Sequence, residues 1–319
     1  MPADRSSVRL LVAGGTIAMS GSPARPSLEV IEQLQDEAGA HVEAEVFATV
    51  PSVQFSPADA LALCRRAVDL ARSGTPVVIT HGTDLLEEVA FLCDLMHDGD
   101  APIVFTGAMR ASSAPGADGP ANLHAAVAVA AAPDARGHGV LVAFAGTVHA
   151  ARYVRKADST SVDAFASPQA GPLGHVEEGR LSTRWAASRL PALDVKHLDA
   201  TVEILTPGLG SAPAALTALA AVCDGLVINI PGAGHTPPAF LDAAQEIAAA
   251  KPVVAVARPW RGALLHNTYG YEGSEVDLRS GTIICAGSLS APAARIALMA
   301  GLGSGLTSED LAEFLARYD

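Results

Sequence analysis

The sequence predicts an α/β protein: a larger N-terminal, mostly parallel open sheet with helices on both faces, followed by a smaller C-terminal α/β domain. Apolar, β-branched runs alternate with stretches of helical periodicity, which is typical of parallel sheets with right-handed crossovers. Half of the 319 residues are hydrophobic, enough for a large core. Between 171 and 193 the periodicity weakens and Pro and Gly accumulate, which indicates domains at 1–184 and 201–319 joined by a linker at 185–200.

The first predicted strand, Val8–Ala13, is followed directly by the turn Gly14-Gly15-Thr16. The stretch 17–26 holds small residues and prolines without apolar periodicity, so we expect a mobile surface loop that could act as a lid. Ser27 opens a short predicted helix that ends near Gly39. A strand is expected at 42–48.

The segment Ser56-Pro57-Ala58-Asp59 has the pattern of a helix start, with an N-cap Ser, a Pro at the first helical position and an Asp three residues after the cap. This helix should extend to Gly74. The apolar run at 76–80 is then a buried strand that ends in His81-Gly82-Thr83-Asp84, and a helix is expected from Leu85 to His97. Four apolar residues recur in it at helical spacing and should pack on the sheet: Val89, Leu92, Cys93 and Met96.

The rest of the chain continues the alternation of strands and helices. Strands are expected at 102–106, 139–145, 201–205, 224–230, 252–257 and 282–286. Helices are expected from the loop 117–120 to Ala132 and at 212–221, 237–250, 291–300 and 308–318. A hairpin is expected after Gly171.

Composition excludes several classes of partner. The formal net charge is −13 and no basic patch with interleaved aromatics stands out, so we expect no nucleic acid and no anionic membrane as a partner. The four cysteines have neither CxxC nor metal-ligand spacing, and each lies in an apolar stretch, which favours buried thiols in a reducing compartment. No signal peptide or membrane span is evident, so the predicted location is the cytoplasm.

Two glycine-hinged threonines follow two predicted buried strands, where open α/β sheets hold their ligands. Thr83 and Asp84 are therefore candidates for chemistry. The alternative is that one of them only caps the following helix, a default use of these residue types. The second turn, at Thr16, favours a shared cleft.

These turns carry a resemblance to a known family. The segments Ala13-Gly14-Gly15-Thr16-Ile17-Ala18 and Thr80-His81-Gly82-Thr83-Asp84 closely resemble the two signature motifs of the bacterial L-asparaginase family. Further segments resemble the family in its own order: 107–110, 117–123, 171–174, the Lys156 region and 270–275. The resemblance covers nearly the whole chain.

The resemblance implies hydrolysis of a side-chain amide through a covalent acyl-enzyme on a threonine, with no metal or organic cofactor. It also implies homodimers or homotetramers with active sites between subunits. Thr16 matches the nucleophile, and the second catalytic threonine with its partners is matched by Thr83, Asp84 and Lys156. Gly15 and Gly82 match substrate-binding backbone positions.

The residue types suit this chemistry. A threonine hydroxyl is a weak nucleophile that needs an adjacent base, and backbone N–H groups of the glycine turns could stabilise an oxyanion. Lys156 is either a solvated side chain, the usual fate of lysine, or a base whose pKa is lowered within the cleft. Asp84 would keep the ammonium charged and poorly basic, whereas burial would lower its pKa.

The chain also departs from the family pattern. The family's lid supplies a tyrosine that partners the nucleophile, but the first tyrosine here is Tyr153, and Ser20 or Ser22 could substitute. The family's substrate-binding Ser-Gln pair is matched by Ser52-Val53, with Gln54 displaced by one position.

Two residues of the C-terminal domain complete the candidate site. His235 stands where better-known members of the family have an asparagine; it is a substrate contact or simply a loop residue. Glu275 matches the acidic residue that the family donates across the dimer interface, and the alternative is a solvated turn carboxylate.

The leading hypothesis is a cofactor-independent amidohydrolase acting on L-asparagine. Because the departures cluster around the substrate's amino group, L-glutamine, D-asparagine or an acyl amide remain alternative substrates. A non-catalytic small-molecule binding protein on the same scaffold is the second alternative. A nucleotide-binding domain is not supported, because the first turn is neither GxGxxG nor GxxxxGK[ST].

Overall fold

The structure is a computed structural model that describes residues 7–21, 25–27, 29–30, 32–33, 36, 42–187 and 189–319. The chain forms two compact units, one ending at Ala192 and the other beginning at Leu193. Most of the helix expected from Ser27 to Gly39 falls outside the described residues.

The N-terminal unit contains twelve described strands and three described α-helices. The strands are β1 (Val8–Ala13), β2 (Met19–Ser20), β3 (Arg25–Pro26), β4 (Val42–Ala48), β5 (Val77–His81), β6 (Ile103–Thr106), β7 (Val140–Phe144), β8 (Thr147–Ala150), β9 (Arg155–Lys156), β10 (Phe165–Ala166), β11 (Gly174–Glu177) and β12 (Arg180–Thr183). The helices are α1 (Pro57–Arg72), α2 (Leu86–Met96) and α3 (Gly119–Ala131), with 3₁₀ turns at Thr16–Ala18, Ser52–Gln54, Pro133–Ala135 and Ala151–Tyr153.

Eight of these strands form one sheet in the order β12-β11-β8-β7-β6-β5-β1-β4. Five neighbouring strands are parallel: β4, β1, β5, β6 and β7. The sheet is extended by β8, β11 and β12, each of which pairs antiparallel with its neighbours. The chain passes from β1 outward to β4 and then returns to β5 on the other side of β1. The strand order therefore reverses between β1 and β5, where ligand crevices open in such sheets.

Both faces of this sheet are buried. Leu10 and Val12 of β1 belong to one core cluster with Leu123 and Val129 of α3. Leu11 lies between them and points to the opposite face of the sheet, and it is fully buried as well. The expected inward face of α2 is confirmed, because its four apolar residues are at most 6% exposed: Val89, Leu92, Cys93 and Met96. The continuous apolar runs thus have the pattern of strands covered on two sides.

The predicted start of α1 is confirmed in detail. Ser56 Oγ accepts the N–H of Asp59 at 3.2 Å, and the Asp59 carboxylate accepts the N–H of Ser56 at 2.9 Å. This reciprocal capping box satisfies two N–H groups that the first helical turn leaves without partners.

The C-terminal unit is a smaller α/β domain, as expected. It contains β13 (Val202–Leu205), β14 (Gly225–Ile230), β15 (Val253–Ala257) and β16 (Ile284–Cys285), paired in parallel in that order. Its helices are α4 (Pro213–Ala220), α5 (Pro238–Ala248), α6 (Glu275–Leu278), α7 (Ala291–Gly303) and α8 (Ser308–Leu315), with a 3₁₀ turn at Ala316–Tyr318.

The four cysteines are buried and unpaired, as the apolar surroundings predict. Among the helices of the described residues, none is both long and apolar enough to cross a bilayer.

Candidate active site

The two glycine-hinged threonine turns lie side by side at the reversal point of the large sheet. In the parallel register of β1 and β5, Ala13 stands opposite His81. The turns that follow these two residues, Gly14-Gly15-Thr16 and Gly82-Thr83-Asp84, therefore leave the sheet at the same level. The two motifs are therefore neighbours at one edge of the sheet, and this region is called the cleft below.

Glycine is required where these turns meet. A Cβ on Gly15 would lie 2.5 Å from the Gly82 backbone nitrogen, and the Gly15 φ of +85° is in the region that disfavours other residues. A Cβ on Gly82 would lie 2.7 Å from Ser52 Oγ. The two glycines thus let the segments of Thr16, Thr83 and Ser52 approach to backbone contact.

Thr83, Asp84 and Lys156 form a connected group. Lys156 Nζ lies 3.0 Å from Thr83 Oγ1 and 2.6 Å from Asp84 Oδ1. The Lys156 side chain is 17% exposed, whereas that of Asp84 is 63% exposed. Lys156 is therefore a held group of the cleft and not a solvated surface lysine. Because the ammonium donates to Thr83 Oγ1, the threonine's own hydrogen remains available for a second partner.

The capping interpretation of Thr83 and Asp84 is wrong. The N-cap of α2 is Leu85, and no side chain caps this helix. Thr83 is 6% exposed and directs its hydroxyl to Lys156. The first turn of α2 carries Glu87 and Glu88 instead, which favourably oppose the helix dipole.

A buried hydroxyl of the site, Ser52 Oγ, has no partner among the described residues and lies against Gly82. Thr16 is half-buried and begins the 3₁₀ turn whose next residues, Ile17 and Ala18, are buried in the core. A buried hydroxyl without a partner in the protein is available to a ligand.

His81 supports the second turn. Its ring is buried, and Nδ1 lies 2.9 Å from the Gly82 carbonyl oxygen. Because a carbonyl only accepts, Nδ1 carries the proton. Burial lowers the pKa of His81 to about 4, so the ring is neutral near pH 7.

The expectation of a mobile surface loop at 17–26 is wrong for Ile17 and Ala18, which do not lie on the surface. Ile17 and Ala18 are in the core, and β2 and β3 pair antiparallel. Ser112 donates its N–H and its hydroxyl to the Met19 carbonyl, which fastens the base of this hairpin. Residues 22–24, including the proposed substitute Ser22, lie outside the described set.

No tyrosine of this unit replaces the family's lid residue. Tyr153 packs partly buried against the core, with its ring centroid 6.0 Å from that of Trp185. The other proposed substitute, Ser20, lies on β2 opposite Arg25.

The segment that matches the family's Ser-Gln pair, Ser52-Val53-Gln54, is buried only at its serine. Val53 is 64% exposed, and Gln54 is exposed as well. Of the three residues of this 3₁₀ turn, only Ser52 is buried.

In the C-terminal unit, Glu275 is fully buried and not a solvated turn carboxylate. Its Oε1 accepts the N–H groups of Thr268 and Tyr269, each at 2.6 Å, and Oε2 accepts His235 Nε2 at 3.2 Å. Burial alone would raise the pKa of the Glu275 carboxyl, but these donors hold it below its usual value. The His235 ring lies 5.0 Å from Tyr269 and 5.5 Å from Tyr271, centroid to centroid.

Among the described residues, no group of three His, Cys, Asp or Glu side chains is placed to hold a metal ion.

Sequence reasoning did not identify Glu87 and the pair Asp94–Arg152, which contact the segment that carries Lys156. Glu87 accepts the backbone N–H of Lys156, and Asp94 pairs with Arg152 at 2.8 Å. Their spacing on α2, seven residues apart, places both carboxylates on one face of the helix. That spacing was visible in the sequence, but their partner segment was not.

The fold and this cleft define a hydrolase-like α/β site built around two threonines. The family model described as asparaginase, N-terminal, matches residues 7–189, and the model described as glutaminase/asparaginase C-terminal domain matches residues 201–315. The chain therefore belongs to the asparaginase family of amidohydrolases.

Individual relatives agree with this. The chain is 35% identical to a probable L-asparaginase of Deinococcus radiodurans over 98% of its own length and 97% of the relative's. It is 31% identical to a probable periplasmic L-asparaginase of Haemophilus influenzae over 94% and 89%. The crystal structure of a probable cytoplasmic L-asparaginase from Campylobacter jejuni superposes with a TM-score of 0.83 at 31% identity, covering 97% of this chain and 99% of that one.

Proposed function

We propose that this protein hydrolyses L-asparagine to L-aspartate and ammonia through an acyl-enzyme on Thr16. The observation that carries the proposal is the contact of the Gly15 and Gly82 backbones, which brings the Thr16 turn beside Thr83 and its partner Lys156. The named relatives support the substrate class, since both carry the description probable L-asparaginase.

In the first half-reaction, Thr16 Oγ1 attacks the carbon of the side-chain amide. The bond from that carbon to the amide nitrogen breaks, the hydroxyl proton ends on the leaving nitrogen, which departs as ammonia, and an ester to Thr16 remains. Backbone N–H groups of the glycine turns stabilise the negative oxygen of the tetrahedral intermediate. The loss of one such donor typically costs about 3 kcal/mol of transition-state stabilisation.

In the second half-reaction, water attacks the ester carbon, the bond from that carbon to Thr16 Oγ1 breaks, a proton of the water returns to Oγ1, and the carboxylate product leaves. We assign Thr83 to this step, since its hydroxyl oxygen accepts from Lys156 and its hydrogen can bond the water or the ester oxygen. Asp84, at 2.6 Å, holds the ammonium in place.

Ser52 is the proposed contact for the substrate's carboxylate. Its hydroxyl is buried, lies against Gly82 and has no partner among the described residues. Gly15 and Gly82 contribute backbone, whereas Val53 and Gln54 are weaker candidates because they are exposed.

His235 and Glu275 are proposed to serve the site through assembly of subunits. We propose a homodimer or homotetramer with active sites at the subunit interface. The support is a group of exposed large side chains in the C-terminal unit, including Trp260, Tyr269 and Tyr271, since aromatic residues are enriched at interfaces. Sedimentation at several protein concentrations tests the assembly, and a monomer at all of them would contradict it.

Two further proposals concern domain limits and location. We propose domains at 1–184 and 201–319, joined by a linker at 185–200. The division of the compact units after Ala192 supports these limits. Limited proteolysis tests them, with cleavage expected within 185–200. We propose a cytoplasmic location, supported by the Campylobacter jejuni relative. The periplasmic Haemophilus influenzae relative makes cell fractionation the required test.

The activity is tested by ammonia release from L-asparagine, D-asparagine, L-glutamine and succinamic acid, with wild type and Thr83→Val. The expected result is steady release from L-asparagine by the wild type, and in Thr83→Val a release that stops at about one equivalent of ammonia per site, because the ester on Thr16 is then no longer hydrolysed. Release only from another amide would keep the mechanism and change the substrate. Val53 gives a reason for that outcome, because it stands where the family has a substrate-binding Gln and is exposed.

A wild type that releases no ammonia from any amide would contradict the proposal. If L-asparagine or L-aspartate then raised its melting temperature, the protein would be a binder, because a ligand stabilises any folded state that it prefers.

A further inference from the structure

The carboxylate of Glu87 links the catalytic lysine to the helix that follows the second threonine. Glu87 lies on α2, three residues after Asp84, and its Oε2 accepts the backbone N–H of Lys156, 69 residues away in the sequence. Burial raises the pKa of the Glu87 carboxyl, and the Lys156 N–H and the nearby Arg155 and Lys156 charges oppose that shift. The group is thus a desolvated acceptor committed to one backbone donor.

The strand that carries Lys156 is short. β9 and its ladder partner β10 have two residues each, and the segment continues with the N–H groups of Ala157 and Asp158, which both donate to the Ala164 carbonyl. The N–H of Lys156 itself is donated to Glu87. At this residue the backbone is therefore held by α2.

A second carboxylate of α2 holds the same segment. Asp94 Oδ2 accepts from Arg152 Nε at 3.1 Å and from its terminal nitrogen at 2.8 Å. Both side chains are at most 7% exposed, and Asp94 also accepts the N–H of Val140 on β7. Residues 152 and 156 are thus tied to positions 94 and 87 of one helix.

The same helix begins directly after Thr83 and Asp84. Since an α-helix is rigid over eleven residues, with a rise of about 1.5 Å per residue, it sets the distance between the threonine and the anchored lysine segment. We infer that Glu87 is a positioning residue, whose carboxylate fastens the Lys156 backbone and so holds Lys156 Nζ within reach of Thr83 Oγ1. This inference rests on the proposed function of Lys156.

The test compares Glu87→Ala with Glu87→Gln, whose amide oxygen can still accept the Lys156 N–H. In Glu87→Ala, we expect kcat for the best amide to fall about 10- to 100-fold, because a displacement of about 1 Å can cost 10²-fold. KM should stay within about threefold, since Glu87 is not a proposed substrate contact. Glu87→Gln should retain kcat within about threefold.

Glu88→Ala is the matched control, because it removes a carboxylate from the same turn of α2. It should leave kcat within about threefold of wild type. In a Lys156→Ala background, adding Glu87→Ala should cause no further loss, since non-additivity is expected of groups that act through one another.

A readout that needs no activity separates this inference from the proposed function. Hydrogen exchange of the backbone amides at 155–157 should speed up in Glu87→Ala and stay near wild type in Glu87→Gln. If the wild type hydrolyses no amide, the proposed function fails while this exchange result still tests the anchor.

Three results would overturn the inference. One is a wild-type kcat in Glu87→Ala; another is an equal loss in the Ala and Gln variants, which would indicate charge instead of hydrogen bonding. The third is unchanged exchange at 155–157 in Glu87→Ala.

Discussion

The N-terminal cleft and the Glu275 cluster of the C-terminal unit use polar side chains in opposite ways. In the cleft, the buried hydroxyl of Ser52 has no partner among the described residues. In the cluster, both oxygens of the buried Glu275 are occupied by donors from its own unit. A buried group that is left without a partner is costly, and the Ser52 hydroxyl, which lies against Gly82, is therefore available to a ligand.

The comparison also separates chemistry from architecture. Glu275 organises the loop that carries Thr268 and Tyr269 and orients His235. This arrangement can present His235 and its neighbouring rings as a surface, whereas the Glu275 carboxylate is already committed. Each variant below alters either a group of the cleft or a group that supports the fold.

The largest expected effect comes from Thr16→Val, which removes the proposed nucleophile and keeps the side-chain volume. We expect kcat to fall by at least about 10⁴-fold, as is found when a nucleophile is removed, with the melting temperature unchanged or higher. Thr217→Val, on the exposed side of α4, is the control and should behave as wild type. A Thr16→Val protein with more than a tenth of the wild-type rate would contradict the role.

Asp94→Ala should have the largest effect on stability, because it leaves the buried Arg152 guanidinium without its carboxylate. We expect the free energy of unfolding to fall by about 3–5 kcal/mol, measured by urea denaturation. Asp98→Ala breaks the exposed pair with Arg72 and should cost less than about 1 kcal/mol. Equal effects of the two variants would refute the distinction.

Buried histidines should make folding sensitive to acid. Burial lowers the pKa of His81, His97 and His149 from 6.5 to about 4 in the folded state. Between pH 4 and pH 6.5 the unfolded chain binds more protons than the folded protein. The free energy of unfolding is therefore not reduced by these histidines above pH 6.5, and it decreases as the pH falls towards 4. The loss is about 3 kcal/mol per histidine.

The check is denaturation at a series of pH values with wild type and His97→Asn, a variant outside the cleft. The pH slope should be shallower in the variant by the contribution of one histidine. An identical slope would mean that His97 does not titrate abnormally.

Glu275→Ala should leave the N–H groups of Thr268 and Tyr269 without acceptors. We expect a lower melting temperature and faster hydrogen exchange at 268–269, and Glu275→Gln should restore part of both. A fully stable Ala variant with unchanged exchange would show that the cluster is not an anchor.

The smallest expected effect on stability is that of Asp84→Asn. The Asp84 side chain is 63% exposed, and exposed ion pairs contribute about 0–1 kcal/mol. The unfolding free energy should therefore change by less than about 1 kcal/mol, while the rate falls because Lys156 loses its partner. A large loss of stability would contradict this and would mean that Asp84 supports the fold.

Much of the N-terminal fold could be predicted because local signals agreed with the tertiary structure. The capping box at Ser56 and the apolar runs of β1 and β5 needed no knowledge of distant contacts. The two glycine turns could be placed in one cleft because parallel strands end at the same edge of a sheet.

The rest depended on contacts between distant parts of the chain. The pattern around Thr16 suggested an irregular surface loop, because small residues give no periodicity, yet Ile17 and Ala18 are in the core. Thr83 and Asp84 suit a helix cap by type, and only the approach of Lys156 from 73 residues away decides otherwise. Glu87 is one of many helix carboxylates until the segment of Lys156 meets it.

The central claim is that the acyl group forms on Thr16, and a trapped intermediate tests it most directly. Wild type would be mixed with L-asparagine, quenched in acid within the first turnovers, and digested with trypsin for mass spectrometry. Thr16 falls in the peptide 10–65 and Thr83 in the peptide 73–110, because trypsin cuts after Lys and Arg but not before Pro26. The account predicts an aspartyl ester on Thr16 in the first peptide, absent from Thr16→Val. An ester on Thr83, or steady turnover with no acyl group on Thr16, would contradict it.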